Sequence, residues 1–171
     1  MTTDAFDALV ASLDAPMIIV TAAAGGERDG CLVGFHAQAS IGPPQYAVWL
    51  SKANRTYEMA MAATHLGVHF LTEHDFALAE HFGSLTGDDV DKFAGLEAVS
   101  GDGDAPMLVA CPHRMVVRRL STLDDGGDHV CVVTEPVSVE PGGSFTPLRL
   151  SAVTGIEPGH EADEAPRLPD P

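Results

Sequence analysis

The residues best suited to chemistry are concentrated in one short stretch, Ser51-Lys52-Ala53-Asn54-Arg55-Thr56-Tyr57. A strand-like run, Tyr46 to Ser51, ends there, and Asn54 is a natural N-cap for a helix starting near Arg55. The first turn of a helix presents unpaired N–H groups at the positive end of its dipole, where anions and above all phosphate are favoured. Lys52 and Arg55 add two of the nine cations in the chain, and Ser51 and Thr56 add hydroxyls. Arg55 could take a phosphate through two parallel bonds, with Lys52 as a mobile point charge. This chemistry specifies an anion without naming it, and a capped helix with solvated cations is the competing interpretation.

Two further segments carry weaker signals. Gly30 to Ser40 reads as a strand continuing to Gly42-Pro43-Pro44, with Gly34 open to close approach and Phe35 and His36 beside it. A core strand bulged at Gly34 would look the same. Gly127-Asp128-His129 places a histidine just after a hairpin loop and next to a carboxylate that could fix its tautomer, although a locally bonded turn histidine fits equally. His65, His69 and His74 imitate metal spacing, but on a strand residues four apart are separated by about 13 Å, so no metal is expected. Asp88, Asp89 and Asp91 lack the remaining ligands of a calcium loop. Neither GxSxG, GxxxxGK[ST] nor GxGxxG occurs, which removes the common hydrolase, P-loop and Rossmann chemistries.

These residues must be positioned mostly by strands. Short β-branched runs are expected at Pro16 to Ala22, Gly30 to Ser40, Tyr46 to Ser51, Gly67 to Thr72, Arg114 to Leu120, His129 to Val139 and Leu148 to Thr154. Asp124 to Asp128 makes a hairpin loop between two of them. Helices are expected after Asp4, with Phe6, Leu9, Val10 and Leu13 on one face, after Asn54, and from Asp75 to Phe82 with Phe76, Ala79 and Phe82 inward. Residues 84–105, rich in Gly and Asp, read as a long surface excursion. Strands without βαβ alternation favour a mainly β fold, a barrel or sandwich.

The chain has 171 residues, which suits one domain with a core large enough to fold without staples. A net charge of −16 argues against nucleic acid and anionic membrane as main partners, since both need cations to neutralise them. Cys31, Cys111 and Cys131 are widely spaced, as reduced thiols of a cytoplasmic protein would be. No leader or spanning stretch is apparent. The domain is expected over 1–156, with a disordered tail over 157–171 that holds four prolines and five acids.

Taken in order, the segments resemble the flavin reductase family, whose fold is the FMN-binding split β-barrel. The resemblance covers about residues 14–140 and is carried by Pro16-Met17-Ile18-Ile19-Val20-Thr21, Gly30 to Pro44, Ser51 to Thr56, Val68 to Leu71, Leu78 to Gly83, Asp91 to Gly95 and Gly127-Asp128-His129. It implies that backbone groups of Leu32, Val33, Gly34, Phe35 and His36 line the flavin ring, and that Ser51, Lys52, Asn54, Arg55 and Thr56 hold the FMN phosphate. Lys92 and Phe93 would approach the cofactor from the excursion, and His129 would lie near flavin and nicotinamide as the catalytic candidate. The cofactor implied is FMN, or FAD, with NADH or NADPH as cosubstrate. The implied assembly is a homodimer, with a monooxygenase component as the candidate consumer of reduced flavin. Family members usually carry hydroxyls where this chain has Leu32, Gly34, Phe35 and His36. That departure keeps alternatives open: a non-catalytic flavin- or haem-binding barrel with His36 as axial ligand, a deazaflavin-dependent oxidoreductase, or a purely structural barrel.

Overall fold

A computed structural model describes residues 3–159. Of the expected tail, residues 160–171 lie outside the described residues. The elements are α1 (Thr3–Ala11), β1 (Ile18–Ala24), β2 (Glu27–Val33), β3 (His36–Ser40), β4 (Gln45–Ser51), α2 (Arg55–Ala62), β5 (His65–Phe70), α3 (Phe76–Ser84), β6 (Ala98–Ser100), β7 (Pro106–Leu108), β8 (Arg114–Leu123), β9 (His129–Glu140) and α4 (Leu150–Val153).

Seven strands form one antiparallel sheet in the order β2-β1-β5-β8-β9-β4-β3, and β6 and β7 pair as a separate ribbon. The single strand expected over Gly30 to Ser40 is therefore two. β2 pairs with β1 at one edge of the sheet and β3 with β4 at the other, with Gly34 and Phe35 between them. A two-residue link between opposite edges forces the sheet to curl until its edges approach, which is a split barrel by geometry.

Alternation along β1 shows how the curled sheet is filled. Ile18, Val20 and Ala22 face the barrel interior with Val48, Leu50, Leu66, Val68, Val117 and Val132, and α2 closes that core with Ala60. Met17 and Ile19 face the other way, onto a second core built from Ala79 and Phe82 of α3, Phe93, Leu108, Leu148 and Val153. A strand covered on both faces loses the polar alternation of an open sheet, which explains the unbroken apolar run at Met17 to Val20.

Three expectations need correction. Leu148 to Thr154 is not a strand. Its backbone meets the strand ends in isolated bridges at Pro147 and Arg149, with Leu148 bonded to Met17 and Leu71, before turning into α4, where Asp14 accepts from the Ser151 amide at 2.8 Å. Residues 84–105 are not a surface excursion throughout. Lys92 and Phe93 are among the most buried side chains, while the glycines at 95 and 103 supply positive-φ turns. The apolar face of α1 is not covered among the described residues, since Phe6, Leu9 and Leu13 remain exposed, and Phe76 of α3 is exposed as well.

His69 is committed to the fold rather than offered to a ligand. The ring is fully buried, Nδ1 donates to Ile19 O at 3.2 Å, and Nε2 accepts from the Leu108 amide at 3.0 Å. It therefore ties β7 to β1 as a neutral ring, and burial lowers its pKa to about 4. Among the described residues no cluster of His, Cys, Asp or Glu is placed to hold a metal ion. The unfolded chain takes up a proton near the ordinary histidine pKa of about 6.5 and the folded one does not. This contribution is intact above that value and is lost as pH falls toward about 4. Unfolding free energy should drop with a slope approaching about 1.4 kcal/mol per pH unit. His69→Gln, which cannot titrate, should flatten the slope in urea melts across this window, and an unchanged slope would contradict the assignment.

The three thiols are unpaired and buried. Burial pushes Cys31 and Cys111 up to about 12, so neither is a thiolate at neutral pH. No helix among the described residues is long and apolar enough to cross a membrane.

Candidate functional site

Three segments meet where the barrel is split. β4 and β9 pair so that Ser51 stands opposite His129, and the Lys52 amide donates to Asp128 O at 2.9 Å. The Trp49 amide donates to Phe35 O at 2.9 Å, which brings the Gly34–Phe35 link onto the same strand. As a result the Phe35 and His129 rings lie 5.1 Å apart, tilted by 58°. Together with Trp49 and Cys131 they line a hollow of about 250 Å³. His129 Nδ1 donates to Asp128 Oδ1 at 2.9 Å, and that bond holds the Asp128 carboxyl below the usual carboxylate range. Among the described residues Nε2 makes no hydrogen bond, so the ring keeps one nitrogen for a ligand.

The turn into α2 forms as its sequence demands: Asn54 caps it, its side-chain oxygen accepting from the Thr56 amide at 3.1 Å. Each of the two cations at the turn is engaged by a carboxylate. Lys52, with 7% of its side chain exposed, donates to Asp124 Oδ1 at 2.7 Å across the β8–β9 loop. Arg55 lies on the other flank, where it pairs with Glu27 of β2 and donates to Gly87 O. Thr56 is fully buried and gives its hydroxyl proton to Asp29, so it is not a phosphate donor as placed. In a chain with 25 acids, cations at a turn meet neighbouring carboxylates unless a ligand competes.

Lys92 and Phe93 need the same correction. Lys92 Nζ donates to Gly30 O at 2.8 Å and stands 3.7 Å from Asp29, entirely inside. Phe93 packs edge-on to Phe82 and carries the Arg28 guanidinium 4.5 Å above its ring. Neither side chain offers a cofactor an accessible surface in this chain. Beside them opens a cleft of about 1030 Å³ whose wall includes Arg28, Arg55, Gly87 and Asp88. Asp29 and Arg28 were not legible as site residues: an Arg-Asp-Gly triplet at a strand start reads as a solvated turn, and the partner of Asp29 lies 63 positions further along the chain.

His36 is committed within the barrel. Its Nε2 donates to Pro16 O at 2.8 Å, and its Nδ1 accepts from the Tyr46 hydroxyl at 2.6 Å. Burial lowers its pKa, in keeping with a neutral ring. With both nitrogens engaged, His36 has no lone pair to give an iron, which removes the basis of the haem alternative.

A family model described as the flavin reductase like domain matches residues 10–152. The chain belongs to this flavin reductase-like family. Its fold is that of a flavin reductase domain protein from Arthrobacter sp. FB24, 22% identical, with a TM-score of 0.79 over 88% of this chain and 92% of that one. Flavin reductase HpaC, solved in complex with NADP+, is 20% identical with a TM-score of 0.75 over 88% and 99%. The high molecular weight rubredoxin of Moorella thermoacetica is 29% identical over 114 residues, 66% of this chain and 50% of the rubredoxin. The chain thus spans about half the length of that curated relative.

The residues present fit a flavin nucleotide in one respect and depart in another. An ammonium, a guanidinium and a capped helix start flank the turn, and the carboxylates now on the two cations are exposed, at 43% and 63% of their side chains. Solvent screens carboxylates this exposed, so a phosphate could displace either acid at little cost. The departure is at Leu32, Gly34, Phe35 and His36, which bring no hydroxyl; Leu32 packs into the outer core and His36 is engaged elsewhere. Gly34 and Phe35, however, lie outside both strand ladders; the Phe35 carbonyl is taken by the Trp49 amide, and the two amide N–H groups of the link remain for a ring edge.

Proposed function

We propose that this flavin reductase-like protein is an NAD(P)H-dependent flavin reductase that binds FMN, or FAD, at the split of the barrel. The observation that carries the proposal is the meeting of Phe35, His129 and the Ser51–Lys52 start of the cationic turn at one corner. Bound flavin would supply the hydride-accepting ring for a nicotinamide stacked upon it. Lys52 and Arg55 anchor the phosphate from the two flanks of the turn. Gly34 and Phe35 offer backbone donors to the ring edge, a preorganised electrostatic contribution that does not depend on side-chain hydroxyls. Phe35 covers one side of the hollow and limits water access. Asp128 holds His129 in the tautomer that leaves Nε2 for the nicotinamide or flavin. Val33 and His36 support this corner from within the barrel, and Leu32 from the outer core.

The reading extends to a homodimer in the cytoplasm that passes reduced flavin to a monooxygenase component. The unpaired thiols agree with a reducing compartment. The test is to mix the protein with FMN and NADH or NADPH and follow loss of pyridine-nucleotide absorbance. Turnover with at least one donor is expected, and none with either would sink the proposal. His129→Ala should slow turnover about tenfold, the equivalent of one lost hydrogen bond, with FMN affinity held within about threefold. Unchanged turnover would remove His129 from the mechanism.

A further inference from the structure

Asp29 and Lys92 form a buried ion pair that the barrel core does not explain. Both are about as buried as the apolar side chains around them, at 1% and 2% exposure. Burying two charges is costly, and well-packed apolar residues of similar volume usually hold a fold as firmly or more so. The contacts of the Asp29 carboxylate lead to the anion turn, and Lys92 ties the pair back to β2. Asp29 Oδ2 accepts the Thr56 hydroxyl proton at 2.9 Å, one residue into α2. Lys92 offsets the Asp29 charge at 3.7 Å while donating to Gly30 O at 2.8 Å. The Asp29 carboxyl also presses on Gly87, where a Cβ would come within 2.6 Å of it, and Gly87 O receives the Arg55 guanidinium. Strand β2, the start of α2 and the 84–97 segment are therefore pinned at one point, directly behind Arg55.

We infer that Asp29 and Lys92 are positioning residues, which act through Thr56 and Gly87 to hold the first turn of α2 and the Arg55 guanidinium in the orientation that takes a phosphate. The inference rests on the flavin reading for the identity of that phosphate. Its geometric core, the pinning of the turn, is independent of any ligand. A free carboxylate at this place would repel an anion, whereas the paired one orders the turn without net charge. Thr56 is part of the same device, which accounts for a hydroxyl pointing inward at a helix start.

The test uses Thr56→Val, which removes only the hydroxyl, Thr56→Ser as the conservative rescue, and an Asp29→Leu/Lys92→Met double variant. The readouts are amide hydrogen exchange at residues 55–58 in the ligand-free protein and the affinities of FMN and of riboflavin. Exchange at 55–58 should rise about tenfold in Thr56→Val and in the double variant, with β8 and β9 unchanged, and Thr56→Ser should restore it. FMN affinity should fall about tenfold in both while riboflavin affinity holds within about twofold. Unchanged exchange in Thr56→Val would overturn the inference, as would equal losses for FMN and riboflavin. A double variant that fails to fold would make the pair a folding element and overturn it too. Should the wild type bind no flavin, the flavin reading fails, and the exchange data still decide the positioning claim.

Discussion

Arg55→Ala is expected to weaken FMN about 100-fold while leaving riboflavin within about threefold. The two ligands share the ring and differ at the phosphate, so their ratio isolates the anion contact. A charge-assisted bond from a guanidinium contributes roughly 1.5–3 kcal/mol, which is the basis of the magnitude. In this structure Arg55 is held by Glu27 and Gly87 O, so the phosphate must displace an acid to reach it. Two consequences sharpen the expectation. Glu27→Gln removes the competitor and should tighten FMN a few-fold, and Arg55→Lys should retain part of the affinity through charge alone. Equilibrium titrations by flavin fluorescence would measure all three variants. Equal losses for FMN and riboflavin in Arg55→Ala would mean that the phosphate lies elsewhere.

Gly67→Ala is expected to cost about 4 kcal/mol, enough to lower the melting temperature by about 10 °C. Gly67 sits in β5 between Thr21 of β1 and Val116 of β8. A Cβ there would come within 2.3 Å of the Thr21 hydroxyl and 2.8 Å of Pro106 O. Those two atoms are hydrogen-bonded to each other at 2.5 Å, in the buried joint that fastens β7 to the barrel. The strand cannot retreat because both of its ladders are occupied, so the methyl must break a buried bond or spread the sheet. Thermal melting checks this directly, and a shift of less than about 2 °C would contradict the packing described here.

Much of this fold was readable from local pattern. The strands expected near Pro16–Ala22, Tyr46–Ser51, Gly67–Thr72, Arg114–Leu120 and His129–Val139, the Asn54 cap and the Asp124–Asp128 loop depend on neighbours in sequence, and each lies close to where pattern placed it. The order of segments also pointed to the family whose model matches residues 10–152. The failures share one cause. Whether Lys92 is solvated or buried, whether Arg55 is free or paired, and whether Thr56 faces a ligand or Asp29 are decided by residues far away in the chain. The break of the second strand at Gly34 is likewise a consequence of barrel closure, invisible until β2 and β3 are seen on opposite edges. Leu148 to Thr154 misled because its apolar residues fill the outer core from a turn rather than from a ladder.

A titration of the purified protein with excess FMN tests most directly whether the cationic turn and its aromatic rim receive a flavin. Saturable uptake of about one FMN per chain, weakened by added salt as a phosphate contact should be, is the predicted outcome. A protein that stays colourless and leaves FMN fluorescence unchanged at every concentration would contradict it.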